Sequence, residues 1–161
     1  MKRPRIYLDT SIINFLFADD APDFRRVTEE FFAVYSTHYD LFISDIVLAE
    51  ILRDPDQLHR SKLTAVLATH EITMLPAERR DEVRLLAERY LEAGVIPAKK
   101  AEDALHVAYA TIFEMDFLLS WNFKHLANVR REARFLAINE ALGYRYPLRL
   151  LSPLEVEDDD T

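Results

Sequence analysis

Short runs of apolar residues alternate along this chain with longer segments in which apolar residues recur every three or four positions. Runs such as Ile6-Tyr7-Leu8 are typical of buried strands, whereas segments such as 57–69 have the spacing of helices with one apolar face. The pattern predicts strands at 5–8, 41–43, 71–75, 117–120 and 148–151. It predicts helices at 10–17, 23–38, 45–54, 57–69, 77–93, 97–115 and 129–142.

Strands and helices alternate over almost the whole chain, which favours the α/β class. Parallel strands need long crossover connections, and helices of this length supply them, so we expect a mostly parallel sheet. The 161 residues suit a single domain. We expect that domain over residues 1–154, followed by an acidic, disordered tail over 155–161.

Composition removes several classes of function. The chain has no cysteine, which excludes a disulfide scaffold, a thiolate zinc site and a cysteine nucleophile. With only two glycines, it contains neither a P-loop nor a dinucleotide-binding fingerprint. No apolar stretch approaches the roughly 20 residues of a membrane span, and the run after the basic N-terminus is too short for a secretory signal. We therefore expect a soluble, cytoplasmic protein with no membrane partner.

The net charge bears on nucleic-acid binding. At −8, it argues against a protein that coats nucleic acid by bulk positive charge. The five acids of the tail account for most of this charge, and the rest of the chain carries −3. An enzyme that meets nucleic acid through a local basic rim stays open.

Polar side chains directly follow the first and fourth predicted strands. Asp9 ends the first strand, and Ser120 and Asn122 stand at and just past the end of the fourth. In parallel sheets the carboxyl ends of the strands meet at one edge, where ligands bind. Asp9 is equally suited to cap the helix that follows it, and a loop asparagine is often only a turn residue.

Two further carboxylates lie in predicted helices. Glu50 belongs to a helix that is apolar on nearly all sides, where a lone carboxylate is costly unless it is paired or bound to metal. An ion pair with Arg53 is the alternative. Asp103 lies early in an alanine-rich helix with charged neighbours, so a solvated turn is its alternative.

A shared position for Asp9, Glu50 and Asp103 would require a cation, because three close carboxylates cannot all stay ionised without one. Mg²⁺ is bound by such oxygen ligands together with water and phosphate oxygens. An ion of this kind activates water and stabilises the charge of a phosphodiester displacement. The chain has no cysteine and no pair of histidines four residues apart, which argues against a zinc hydrolase.

Four short segments, taken in order, resemble those of PIN-domain proteins, and most closely VapC-like toxins of prokaryotic toxin–antitoxin pairs. They are Tyr-Leu-Asp9-Thr-Ser, Ser44-Asp-Ile-Val-Leu-Ala-Glu50-Ile, Asp103-Ala-Leu-His-Val-Ala-Tyr-Ala and Leu-Leu-Ser120-Trp-Asn122-Phe-Lys-His-Leu. The resemblance spans about residues 5–151. It implies a PIN-like α/β/α sandwich around a mostly parallel sheet of four to five strands. It also implies an endoribonuclease that depends on Mg²⁺ or Mn²⁺.

The resemblance assigns roles residue by residue. The three core acids of the family match Asp9, Glu50 and Asp103, and Asn122 stands where many members carry a fourth acid. The implied metal ligands are these four residues. Losing the fourth charge should weaken a second metal site. Asp116 is no substitute, because it precedes the fourth strand and should lie at the opposite edge of the sheet.

Other residues near these segments have candidate supporting roles. Hydroxyls that could hold the acids or metal-bound water belong to Ser11, Ser44 and Ser120. Candidate contacts to RNA phosphates, with ordinary surface charge as the alternative, are Lys99, Lys100, Lys124 and His125. Trp121 could stack on a base, although a core or turn position is favoured. For His106 we favour a buried, hydrogen-bonded role over a catalytic one.

The resemblance also implies partners: an RNA substrate, a homodimer and a small antitoxin protein that covers the acidic crevice. Two other functions remain open. A catalytically weak PIN-like module that binds RNA or protein is favoured by Asn122. A phosphohydrolase with an aspartyl nucleophile is disfavoured, because it requires a second aspartate two residues after Asp9, where Ser11 stands.

Overall fold

The computed structural model describes residues 2–158 as a five-stranded sheet with helices around it. The strands are β1 Arg5–Leu8, β2 Asp40–Ile43, β3 Thr73–Met74, β4 Phe117–Leu119 and β5 Arg149–Leu151. The helices are α1 Thr10–Phe15, α2 Pro22–Glu30, α3 Asp45–Leu52, α4 Gln57–Thr69, α5 Arg80–Glu92, α6 Ala101–Ile112, α7 Val129–Ala141 and α8 Pro153–Asp158. This confirms the predicted α/β class.

The sheet has the order β3-β2-β1-β4-β5, and every neighbouring pair is parallel. β1 lies at the centre, where Ile6 pairs with Leu41 on one side and with Phe117 on the other. Because the strands are parallel, their carboxyl ends share one edge, and the residues that follow β1, β2 and β4 lie along that edge.

The core explains why these segments form strands and helices. All three apolar residues of β1 are fully buried, as expected for a central parallel strand covered on both faces. In α6, small residues such as Ala104 and Ala108 are also fully buried, and this helix packs mainly against α5. None of the described helices combines the length and the apolar character that a membrane span requires.

The predicted helix over 23–38 differs from the structure. α2 ends at Glu30 and continues as a π-helical turn over Phe31–Tyr35 and a 3-10 turn over Ser36–His38. The hydroxyl of Ser36 donates to the Phe32 carbonyl at 2.7 Å, a side-chain bond that competes with regular helix geometry. The predicted helix over 97–115 likewise begins as a 3-10 turn, Ala98–Lys100, before α6.

The predicted acidic tail overlaps α8. This helix runs to Asp158 and buries Val156 in the core, so residues 155–158 continue the folded part of the chain. Residues 159–161 of the predicted tail lie outside the described residues.

Candidate active site

Asp9 leaves the end of β1 and is 3% exposed. Its Oδ1 accepts hydrogen bonds from the Ser11 hydroxyl at 2.5 Å and from the Ile12 backbone N–H at 3.3 Å, and its Oδ2 accepts one from the Ser120 hydroxyl. Asp9 is therefore the N-cap of α1, which was the alternative role that its position after β1 suggested. Burial raises the pKa of Asp9, while His106 and the two hydroxyls oppose that rise.

The two serines tie Asp9 to the loop after β4. Leu8 pairs with Leu119, so Ser120 follows β4 directly beside Asp9. The Ser11 hydroxyl accepts the Trp121 backbone N–H at 2.9 Å, and the Ser120 hydroxyl accepts the Asn122 backbone N–H at 2.9 Å. Each hydroxyl thus donates to Asp9 and accepts from the loop, which fixes the carboxylate in place.

Glu50 is held by His106 rather than by Arg53. The Nε2 of His106 lies 2.9 Å from Glu50 Oε1, while Arg53 donates to Glu102 at 2.7 Å. Burial would raise the pKa of Glu50, but the hydrogen bond and the charge of His106 hold it below its usual value. The surroundings of Glu50 therefore favour its ionised form, and its hydrogen-bond partner is a buried histidine.

A chain of hydrogen bonds continues from His106 into the sheet. The Nδ1 of His106 lies 2.6 Å from the Tyr7 hydroxyl, which lies 2.7 Å from the Ser44 hydroxyl. Burial would lower the pKa of His106, but Glu50 and the other nearby carboxylates raise it. Ser44 also caps α3 by accepting the Ile46 N–H at 3.3 Å. Ser44 supports His106 through Tyr7 and makes no bond to Asp9.

Asp103 lies in the first turn of α6 and is partly buried, so it is not a solvated turn. Burial raises the pKa of Asp103 to about 6, with contributions from Asp9 and Glu50 that the charges of His106 and Lys100 partly offset. These electrostatic effects indicate that the acids influence one another across the edge of the sheet.

Asn122 faces Asp103 with its amide nitrogen. Its Nδ2 donates to Asp103 Oδ2 at 3.2 Å, and its Oδ1 accepts the His125 backbone N–H at 3.0 Å. The side chain that stands where a fourth acid was expected therefore acts as a neutral hydrogen-bond donor to Asp103. Asp116 lies at the other edge, where it accepts the Arg5 backbone N–H at 2.8 Å, as predicted.

The candidate phosphate-binding cations lie close to the same loop. His125 is 7% exposed, and its Nδ1 has no hydrogen-bond partner among the described residues. Burial lowers the pKa of His125, and the charges of four neighbours lower it further: Arg131, Lys124, Lys100 and Lys99. The predicted basic residues therefore share one region beside Asn122, with Arg131 in addition.

A family model described as PIN domain matches residues 6–130, a range that contains Asp9, Glu50, Asp103 and Asn122. The chain belongs to the PIN domain family. Among solved structures, it is similar to a chain in VapBC2 from Rickettsia felis bound to a DNA fragment from their promoter. That similarity has a TM-score of 0.53 and 22% identity and covers 74% of this chain and 89% of that chain, and it concerns the fold. No curated protein matches the sequence.

The acids of this PIN domain suit a hard divalent ion in type and charge. Asp9, Glu50 and Asp103 offer only carboxylate oxygens, and the pKa values of Asp9 and Asp103 are raised because burial leaves their charges poorly compensated. In residues 2–158, no three His, Asp or Glu side chains converge closely enough to coordinate one ion. Mg²⁺ needs only one or two direct carboxylates, because it keeps several waters.

The sequence pointed to the three acids but not to the side chains that hydrogen-bond with them. His106 is buried and hydrogen-bonded, as predicted, yet its partner Glu50 is 56 residues away in sequence. Tyr7 was read only as part of an apolar strand. One signal was available: a histidine three residues after Asp103 in a helix of small apolar residues lies on the same face.

Proposed function

We propose that this PIN domain is a divalent-metal-dependent endoribonuclease and the toxin of a toxin–antitoxin pair. PIN domains as a family are nucleases. The observation that carries the proposal is the buried Asp9 carboxylate, which three donors fix at the carboxyl edge of the sheet beside two further acids. A buried acid that raises the cost of folding is typical of a functional site.

Asp9, Glu50 and Asp103 would hold Mg²⁺ or Mn²⁺, some of them directly and the others through water. When bound, the ion activates water and stabilises the charge that develops on the phosphodiester. The residues of the chain have distinct tasks around it. Asp9 is fixed by Ser11 and Ser120, and Glu50 is oriented by His106, so both are preorganised.

Asp103 keeps a carboxylate oxygen that no hydrogen bond from the described residues occupies. Within the described part of the chain it accepts one hydrogen bond, from Asn122 to Oδ2, which leaves Oδ1 for the attacking water. We assign to Asp103 the role of orienting that water. Asn122 holds the Asp103 carboxylate in place. We assign the contacts to RNA phosphates to Lys99, Lys100, Lys124 and His125.

The first experiment is cleavage of a mixed pool of structured RNA by the purified chain with Mg²⁺, Mn²⁺ or EDTA, beside Asp9→Asn prepared identically. Cutting should require the metal and fall by at least about a hundredfold in Asp9→Asn, because this change removes the fixed central charge. Glu102→Gln, which alters an exposed acid next to Asp103, is the control and should cut normally. Full metal-dependent cleavage by Asp9→Asn would overturn the assignment.

A catalytically weak binding module is the second candidate, and the observation that favours it is the neutral Asn122 facing Asp103. Mn²⁺ titration separates the two functions. A nuclease should bind Mn²⁺ through these acids and lose binding in Asp9→Asn, whereas a pure binding module need hold no metal.

The toxin assignment includes a small antitoxin and a homodimer as expected partners. Support comes from the shared fold with VapBC2 of Rickettsia felis, itself a complex bound to promoter DNA. Pull-down of a small co-expressed partner, followed by cleavage assays on the purified complex, tests the pairing. A bound partner that suppresses cleavage is the expected result.

A further inference from the structure

Aromatic rings from three parts of the chain meet beside the candidate active site. Phe24 of α2 stacks on Trp121 of the loop after β4, with ring centroids 4.5 Å apart and planes 30° from parallel. Phe123 meets Trp121 at 5.9 Å and Phe24 at 6.1 Å. We call Phe24, Trp121 and Phe123 the aromatic platform.

The aromatic platform is both anchored and exposed. Trp121 is buried, and its Nε1 donates to the Thr28 hydroxyl at 2.8 Å, so it serves as a core aromatic, the alternative that the sequence favoured. Phe24 and Phe123 keep 36% and 41% of their surface exposed. Phe24 and Phe123 thus expose two neighbouring apolar rings to solvent above the buried Trp121. Adjacent exposed rings of this kind are typical of a binding site.

The platform is tied to the acids through the backbone. The Trp121 N–H donates to the Ser11 hydroxyl, which donates to Asp9. One residue further on, Asn122 donates to Asp103. The loop that carries two of the three platform rings therefore also positions two of the three acids.

Positive charge continues from the same loop. Lys124 follows Phe123, and its charge acts together with those of Lys99, Lys100 and Arg131 to lower the pKa of the buried His125; we call these four residues the cationic cluster. Across residues 2–158, none of the three lysines pairs with a carboxylate, and the buried Nδ1 of His125 lacks a partner. On a chain of net charge −8, three neighbouring lysines that form no ion pair with a described carboxylate favour a polyanionic ligand.

We propose that the aromatic platform stacks unpaired bases of an RNA strand while the cationic cluster binds its neighbouring phosphates. The inference rests on the proposed nuclease function and adds a surface that would hold the RNA strand beside the acids, formed by the aromatic platform and the cationic cluster. Flat exposed rings beside free cations are the combination with which proteins hold single strands. In a duplex the bases are stacked inside the helix and present no face to the rings.

Binding is measured in EDTA, where metal-dependent cleavage cannot occur, so binding and cutting are scored separately. Trp121 is the only tryptophan in the chain and contacts both exposed rings, so its fluorescence reports changes at the platform. The probe is an unstructured RNA of roughly ten nucleotides, compared with an abasic strand of equal length and with the same RNA as a duplex. We expect the base-bearing single strand to quench Trp121 and to bind about tenfold more tightly than either comparison probe.

Variants locate the effect. Phe24→Leu and Phe123→Leu keep apolar volume but remove the flat ring, and together they should weaken binding of the base-bearing strand about tenfold without changing binding of the abasic strand. Tyr146→Leu is the matched control, because Tyr146 is 40% exposed at the opposite edge of the sheet, where it contacts Asp116. Circular dichroism confirms that each variant is folded.

Equal binding of the base-bearing and abasic strands by the wild type would overturn the proposal without need of any variant. Unchanged RNA binding by folded Phe24→Leu and Phe123→Leu would also overturn it and would reassign the exposed rings to a protein partner. Base-dependent binding without cleavage in Mg²⁺ or Mn²⁺ would support the platform and count against the nuclease. Metal-dependent cleavage with base-independent binding would support the nuclease function and overturn base stacking on the aromatic platform.

Discussion

His106 and His70 carry the same side chain in opposite surroundings. His106 is fully buried among carboxylates, and these raise its pKa although burial alone would lower it. His70 ends α4 and packs against the ring of Phe32 at 4.6 Å, where burial lowers its pKa. Position therefore decides which protonation state each histidine favours in the folded protein.

The lowered pKa of His70 predicts a loss of stability in acid. As the pH falls below the ordinary histidine pKa of about 6.5, the unfolded chain takes up a proton first, so the free energy of unfolding decreases until the folded-state pKa is reached. Chemical unfolding between about pH 7 and about pH 5 should show that the wild type loses stability relative to His70→Asn, because this contribution is absent from the variant. His38→Asn, at an exposed histidine, is the control. Parallel curves for the wild type and His70→Asn would contradict the prediction.

The elements α3 and α6 each contribute an acid, and the contact between Glu50 and His106 joins them. The pair is linked through Tyr7 to β1, so one hydrogen-bonded chain connects two helices with the central strand. Removing one partner of a buried pair leaves the other without compensation, which is the costly case. The pair therefore stabilises the packing of α3 on α6 and also orients Glu50.

A double-mutant cycle tests this link between the helices. His106→Ala and Glu50→Gln should each lower the free energy of unfolding in EDTA, and together they should cost less than the sum, with a coupling of about 1–2 kcal/mol. The control cycle uses His59 and Asp54, a histidine–carboxylate pair near the surface of α4, which should show little coupling. Additive effects at His106 and Glu50 would show that the two side chains do not interact.

The sequence predicted elements better than contacts. Periodicity is local, so it located every strand and every helix except α8, which the predicted tail overlaps, and α4 agrees residue for residue. The break after α2 was missed, because the Ser36 hydroxyl bond that accompanies it is not visible in an apolar pattern. Contacts between distant segments, such as Phe24 with Trp121, depend on how helices dock, which no local signal carries.

At the scale of the whole molecule, the sheet gathers acids at one edge, and this placement has a cost. Parallel topology brings the residues after β1 and β4 together. Glu50 of α3 and Asp9 lie close enough to Asp103 of α6 to raise its pKa. The alternation of strands and helices, together with the acids that follow or lie near the strand ends, made this edge predictable from sequence. The orientation of Asn122 was not predictable, because it depends on the His125 backbone N–H.

Because burial and neighbouring carboxylates disfavour the charge of Asp103, we predict that Asp103→Asn makes the metal-free protein more stable and also inactive. Burial and neighbouring carboxylates raise the pKa of Asp103 from 3.8 to about 6, so its charge opposes folding near neutral pH. Removing that charge should raise the free energy of unfolding in EDTA by about 1–2 kcal/mol, allowing for partial exposure. The advantage should shrink as the pH falls, because the wild-type carboxyl then takes up a proton in the folded state. Mn²⁺ should raise the Tm of the wild type more than that of Asp103→Asn, and the reverse order would mean that Asp103 does not face the ion.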